Sequence, residues 1–346
     1  MLLQNTISDI KALDQAMMNT ARTRVDTLVK PVNSLGALEE LAVQLAGISG
    51  VLHPVVKQKT MVVMAADHGV YEEGISSNPQ QVTFAQTMLI AKGMTGVGVL
   101  AKTAGATVTT VDIGVKGEFP RDAGVIDQKI KNGTDNMAQG PAMTREEAIR
   151  SIEVGIQIAQ SEIEKGAQVL GTGEMGIGNT TASTAILAVL GNFSPEDITG
   201  NGAGTASIAH KANVIQQAIK VNQPNKTDAL DVLAKVGGLE IGGMTGVMLG
   251  AAAKRVPVVV DGYISTIAAL LAVLLEPKVK GYLIASHASA EPGGQKASEL
   301  LGIRPVLHMK LCLGEGSGAA LAFPLLDAAC NMNQHMATFS EAGLTI

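Results

Sequence analysis

Residues Gln168–Ala188 read QVLGTGEMGIGNTTASTAILA, and how this stretch is parsed decides the fold. The apolar pair Val169-Leu170 enters a glycine-rich turn that carries Glu174 and Met175. Asn179-Thr180-Thr181 then opens a run of small and apolar residues suited to a helix. Strand, tight loop and helix N-terminus follow one another. The free N–H groups of the first helical turn and the positive end of the helix dipole therefore face the loop. An anion, most often a phosphate, is the expected occupant.

Two nucleotide-binding patterns overlap here, and neither is complete. Gly171-Thr-Gly173-Glu-Met-Gly176 satisfies G-x-G-x-x-G after a strand. The acid expected about 20 positions on would be Glu196 or Asp197, which sit in the proline-containing loop NFSPED. Gly173–Thr180 has the spacing of a Walker A loop, but Asn179 stands where that loop needs lysine. A monophosphate suits the loop better than a pyrophosphate or triphosphate. A plain glycine turn packing helix on strand is the alternative, and a Rossmann dehydrogenase rests on the glycine spacing alone.

Working outward, the 346 residues are enough for one large α/β domain or two ordinary ones. A hydrophobic content of 46% against 16% charged residues supplies a large core. Glycine is abundant, 39 residues where roughly 7% is usual, and clusters after apolar runs, as strand-to-helix loops require. The net charge of −5 and the 2% aromatic content leave neither a basic face nor stacking platforms, which argues against nucleic acid. Cys312 and Cys330 form no CxxC and read as thiols of a reducing compartment. The N-terminus MLLQNTISDIKALDQ lacks a signal pattern. The apolar run Ile264–Leu275 is shorter than the roughly 20 residues that span a bilayer. A cytoplasmic protein with no membrane contact is expected.

Residues 1–50 are helical by pattern, with Leu35, Leu38, Leu41, Leu45 and Ile48 at helical spacing after a breaker at Lys30–Gly36. Met61–Ala66 is a continuous apolar run, as in a strand covered on both faces, and ends in Asp67-His68-Gly69. A helix is predicted over Thr83–Thr103, a strand over Thr107–Ile113 ending near Asp112, and an excursion without periodicity over 114–143. Thr144 with Glu147 three residues on marks a capping box for a helix to Lys165. Gly200-Asn-Gly202-Ala-Gly204 opens a helix that runs past Lys211. Val236–Lys254 reads as a buried helix; the apolar helices between 236 and 275 serve either as core or as a subunit interface. Val256–Val260, Tyr282–Ala285 and Val306–Met309 are further strands, and Leu313–Gly318 turns into a helix over Ala319–Asn331.

This alternation predicts an α/β fold: a doubly wound, mostly parallel, Rossmann-like sheet spanning 51–318. Segments 1–50 and 319–346 are expected to form a small helical lobe. The loops at the strands' carboxyl ends then make one crevice. Glu315, between Gly314 and Gly316, is either a helix-initiating acid or a general base at its mouth. Asp261 either caps the helix after it or bonds a ribose hydroxyl, and Glu174 is a turn acid or a sugar ligand. His68 and His287 read as structural, and Asp67, His68 and Asp112 lack a specific metal spacing.

With these residues in place the chain resembles the nicotinate-nucleotide–dimethylbenzimidazole phosphoribosyltransferases, which activate the lower ligand of cobalamin. The motifs are KPxxSLGxLExLA (Lys30–Ala42), ADHGV (Ala66–Val70), PQxVT (Pro79–Thr83) and GEMGIGNTT (Gly173–Thr181). They continue with RVPVVxDGxIST (Arg255–Thr266), SHxSxEPG (Ser286–Gly293), LGEGSGAALA (Leu313–Ala322) and MATFxEAG (Met336–Gly343). The resemblance implies transfer of the phosphoribosyl group of nicotinate mononucleotide to an aromatic base with inversion, needing no metal or cofactor. It implies phosphate binding at Gly176, Gly178, Asn179, Thr180 and Thr181 with Gly202 and Gly204. Ribose would lie near Glu174, Asp261 and Ser289, and Glu315 would take the base's proton. Met175, Lys211, Ser77, Asn78, Ala85, Gln86 and Leu313 complete the implied substrate-binding set.

Four positions depart from the family pattern. Asn78 stands for an aromatic residue, Ala85 for a glutamine, and Asn201 and Cys312 for arginines. The first two touch the base in the family, so benzimidazole, purine and phenol all remain open as acceptors. A homodimer is implied, with a heterodimer of paralogues or a non-catalytic nucleotide-binding subunit as alternatives.

Overall fold

The computed structural model describes residues 1–202 and 207–344, so Gly204 lies outside the described residues. The strands are β1 (Lys59–Ala66), β2 (Ala106–Gly114), β3 (Val125–Asp127), β4 (Val169–Met175), β5 (Val258–Val260) and β6 (Leu283–Ala285). They form one sheet in the order β3-β2-β1-β4-β5-β6, every neighbouring pair parallel. After β1 the chain builds outward on one side and then crosses back to build the other. The order therefore reverses between β1 and β4, which is where open α/β sheets form their ligand crevice.

Successive side chains of a strand face opposite sides, and β1 shows why its sequence is continuously apolar. Val62 and Met64 enter a core with Ile152, Met244 and Val247, from the helices Arg145–Glu164 and Leu239–Ala253. Met61 and Val63 enter a second core with Leu41, Leu45 and Phe323, from the helices Ala37–Ser49 and Ser317–His335. The capping box is present: Thr144 Oγ1 accepts from the Glu147 N–H at 3.1 Å, and Glu147 accepts from the Thr144 N–H at 2.8 Å. The helices Leu239–Ala253 and Tyr263–Leu275 belong to the chain's own core, which removes them as a candidate subunit interface.

Other expectations need correction. The glycines Gly171 and Gly173 are not in a turn but in β4, which runs on to Met175. A Cβ on Gly171 would lie 2.6 Å from Met61 Cε and one on Gly173 2.1 Å from the Glu315 carbonyl oxygen, so both glycines make room for neighbours. The dinucleotide pattern thus matches in letters only, and the turn is Gly176–Gly178. The predicted helix Thr83–Thr103 is two helices, Val82–Ala91 and Gly96–Thr103, parted where Gly93 takes a φ of +69°. The excursion 114–143 contains the three-residue β3, too short to show a period. Val306–Met309 makes only one bridge, Leu307 with His287, after Pro305 and before Lys310 at a φ of +56°.

Candidate active site

Glu315 sits in a turn whose three residues, Gly314, Glu315 and Gly316, have φ angles of +82°, +63° and +97°. Left-handed backbone is uncommon for a glutamate and reads as a constraint placed by the surroundings. Its carboxylate is buried and oriented by two donors. Gln86 Nε2 donates to Oε1 at 2.6 Å, and the Val97 N–H donates to Oε2 at 3.2 Å. Val97 belongs to the first turn of Gly96–Thr103, so the break after Ala91 is what brings a helix N-terminus to this acid.

Asp261, at the end of β5, holds the same turn from behind. Its Oδ1 accepts from the N–H groups of Gly318 and Ala319 at 2.7 and 3.1 Å, and Oδ2 from Gly316 at 3.2 Å. It therefore caps Ser317–His335 rather than the helix that follows it in sequence. Burial pushes the Asp261 pKa up, against the pull of His287 and of these backbone donors. The neighbouring Ser286 hydroxyl lies 3.1 Å from His287 Nδ1 and donates to the Asp261 carbonyl oxygen at 2.9 Å.

Glu174 leaves the end of β4 and meets Asn179 Nδ2 and, at 3.3 Å, the Glu315 N–H. Burial first, and then the charges of Asp261 and Glu240, raise its pKa to about 8, so it is protonated at neutral pH. Beyond it the Gly176–Gly178 turn enters the helix Asn179–Gly191. Lys211 reaches the far side of that turn, where its Nζ donates to the carbonyls of Gly200 and Asn201 at 3.0 and 3.2 Å and to Thr180 Oγ1 at 3.4 Å. Burial lowers the Lys211 pKa, partly offset by Glu291.

These groups surround one cavity of about 300 Å³. Of the residues predicted from sequence, Glu174, Met175, Gly176, Gly178, Asn179, Thr180, Gly202, Lys211, Asp261, Ser289, Asn78, Gln86, Leu313 and Glu315 line it. Thr181, Ser77 and Ala85 do not. Thr181 is buried in the helix body, whereas Ala85 faces outward, one position and about 100° of helix away from Gln86. A glutamine amide is thus supplied at the site by Gln86, which softens the departure at Ala85. Ile75, Val82, Tyr263, His287, Glu291 and Cys312 also line the cavity. Glu291, His287 and Val82 stood in quoted motifs and Cys312 was one of the departures from the family pattern, but nothing in the sequence marked Ile75, Tyr263 or the Val97 N–H.

Chemically, one end offers a glycine turn, a helix N-terminus and a lysine, which suit a phosphate. Next to it lie the carboxyl groups of Asp261, Glu315 and Glu174, the last uncharged at neutral pH, whereas Glu291 lies beside Lys211 at the first end. The other end, with Val82, Met175 and Leu313 around the Gln86–Glu315 pair, suits a flat apolar ring that carries an N–H.

Known proteins resemble this chain along nearly its full length. A family model described as a phosphoribosyltransferase matches residues 10–344. The nicotinate-nucleotide–dimethylbenzimidazole phosphoribosyltransferase of Alkaliphilus metalliredigens is 64% identical, covering 99% of each chain. That of Clostridioides difficile is 48% identical over 98% of each. The crystal structure of the enzyme of the same name from Thermus thermophilus superposes with a TM-score of 0.91 at 42% identity, covering 96% of this chain and all of that one.

Proposed function

This chain belongs to the nicotinate-nucleotide–dimethylbenzimidazole phosphoribosyltransferase family, and from that premise we propose how its cavity performs the transfer. It is a phosphoribosyltransferase of cobalamin lower-ligand activation, moving the phosphoribosyl group of nicotinate mononucleotide to a dimethylbenzimidazole-type base. The phosphate binds at the Gly176–Gly178 turn with Lys211, the ribose lies against Glu174, Asp261 and Ser289, and the base lies between Met175, Val82 and Leu313. The base nitrogen's lone pair forms the bond to C1′ on the face opposite the pyridinium. The C1′–pyridinium bond breaks, and its electron pair neutralises the ring nitrogen as nicotinate leaves. Positive charge on the attacking base makes its N–H acidic, and Glu315 accepts that proton.

The observation that carries this reading is the Glu315 carboxylate, held by Gln86 and the Val97 N–H at the cavity wall beside Glu174. Glu315→Gln should lower kcat about 100-fold or more, the range of general-base removal, while calorimetry shows nicotinate mononucleotide still bound. Near-normal release of nicotinate by that variant would remove the base assignment.

A cytoplasmic homodimer completes the proposal. Leu89, Met94, Val99 and Leu313, 37%, 68%, 58% and 60% exposed, put apolar side chains on and beside the helices next to the cavity and support a second subunit there. Sedimentation velocity should give twice the chain mass, and Met94→Glu should shift it to the monomer.

A further inference from the structure

We propose that His68 and Glu240 are a positioning pair for the phosphate-binding turn, an inference that rests on the phosphate site proposed above. Neither residue lines the cavity. His68 follows the end of β1 and Glu240 opens the helix Leu239–Ala253. His68 Nε2 and Glu240 Oε1 are 2.8 Å apart, both side chains completely enclosed.

The ring lies directly under the turn. A Cβ on Gly176 would come within 3.4 Å of the ring's Cδ2 and Nε2, and one on Gly178 within 3.2 Å of His68 Cβ. On its other side a Cβ on Gly238 would sit 2.4 Å from His68 Cε1, so that glycine leaves the space the ring fills. Ala66 and Thr83 bed the same turn. The Ala66 carbonyl oxygen is 2.4 Å from the position of a Gly176 Cβ. The Thr83 hydroxyl accepts from the Ile177 N–H at 3.1 Å.

An enclosed ion pair is weak as a source of stability, because desolvating both charges costs more than apolar packing of the same volume. A role outside stability explains its presence better. Burial opposes charge on His68, but Glu240, and after it Asp67, outweigh that and hold its pKa above the usual value. Its Nδ1 has no hydrogen-bond partner among the described residues, and neither has Glu240 Oε2. The pair thus sets the ring, held by Glu240, against the glycine backbone on the side away from the ligand. It fixes the height and tilt of the turn that takes the phosphate.

Because the phosphate takes no part in bond making, loosening its cradle should weaken ground and transition states alike and appear in KM rather than kcat. Glu240→Gln, which keeps shape and hydrogen bond but removes the carboxylate, should raise KM for nicotinate mononucleotide about tenfold with kcat within about twofold. His68→Gln should do the same. Binding of inorganic phosphate, measured by calorimetry, should weaken in step. In the wild-type protein, phosphate should move the His68 ring resonances in a histidine-labelled NMR sample, a readout independent of any variant. Folded variants with unchanged KM and phosphate affinity, or ring resonances that ignore phosphate, overturn the pair's role. Wild-type protein that binds phosphate yet releases no nicotinate overturns the proposed reaction and leaves the pair standing.

Discussion

Glu174 and Glu315 are carboxyl groups of one cavity set in opposite surroundings. Glu315 accepts hydrogen bonds from two N–H donors, those of Gln86 and Val97. Glu174 is enclosed and near the acids Asp261 and Glu240, which raise its pKa to about 8. Below that pH it is neutral and adds no charge beside an anionic substrate. Above it, ionisation places a negative charge there. KM for nicotinate mononucleotide should therefore rise as pH climbs through about 8. Glu174→Gln should flatten that limb in a steady-state pH series, and an identical limb in the variant would assign it to another group. The linkage has the same sign for folding. A carboxyl whose pKa is raised on folding contributes most below its ordinary range, and that contribution is lost as pH rises through the folded value.

Among the elements, the helices Arg145–Glu164 and Leu239–Ala253 approach closely enough that backbone meets backbone. A Cβ on Gly246 would lie 1.9 Å from the Ile152 carbonyl oxygen, and one on Gly155 equally close to that of Gly243. The obstruction is main chain and cannot rotate aside. Gly246→Ala should therefore destabilise the protein by about 1–3 kcal/mol, the usual cost of overpacking, read as a lower midpoint in denaturant unfolding. A variant as stable as the parent would show that the helices can part without cost. The sequence marked this helix as buried by its small and apolar residues, yet the same blandness concealed Glu240, whose partner His68 is 172 positions away. Local pattern located the capping box at Thr144 and the glycine-flanked Glu315. It missed the break at Gly93, because apolar residues continue across it and only a backbone angle ends the helix.

For the whole molecule, strand order is what turns scattered motifs into a site. The continuous apolar run of β1 and the acids at the carboxyl ends of β1, β4 and β5 were legible, and parallel pairing brings those strand ends to one edge. Long-range partners were not legible, since nothing in a sequence records that Val97 will meet Glu315 or that Asp261 will cap a helix starting 56 positions later. The chain ends pose the same problem, and there we propose that segments 1–50 and 319–346 act as one small helical lobe. Arg24 supports this, with Nε donating to the Asn333 carbonyl at 2.7 Å and a terminal nitrogen to that of Met336 at 3.3 Å. The Val29 N–H donates to Ala337 and the Phe339 N–H to Thr27, both at 2.9 Å, around a bridge of Leu28 with Thr338. Hydrogen bonds from a charged donor contribute about 1.5–3 kcal/mol, so Arg24→Ala should speed amide exchange at Val29 and Phe339 together, by about tenfold or more. Amides of β1 and β4 should keep their protection and kcat should stay within about twofold, because Arg24 touches nothing in the cavity. Exchange that quickens at Phe339 alone would mean the two ends do not open as a unit, and the lobe would have to be redrawn as two separate appendages on the sheet.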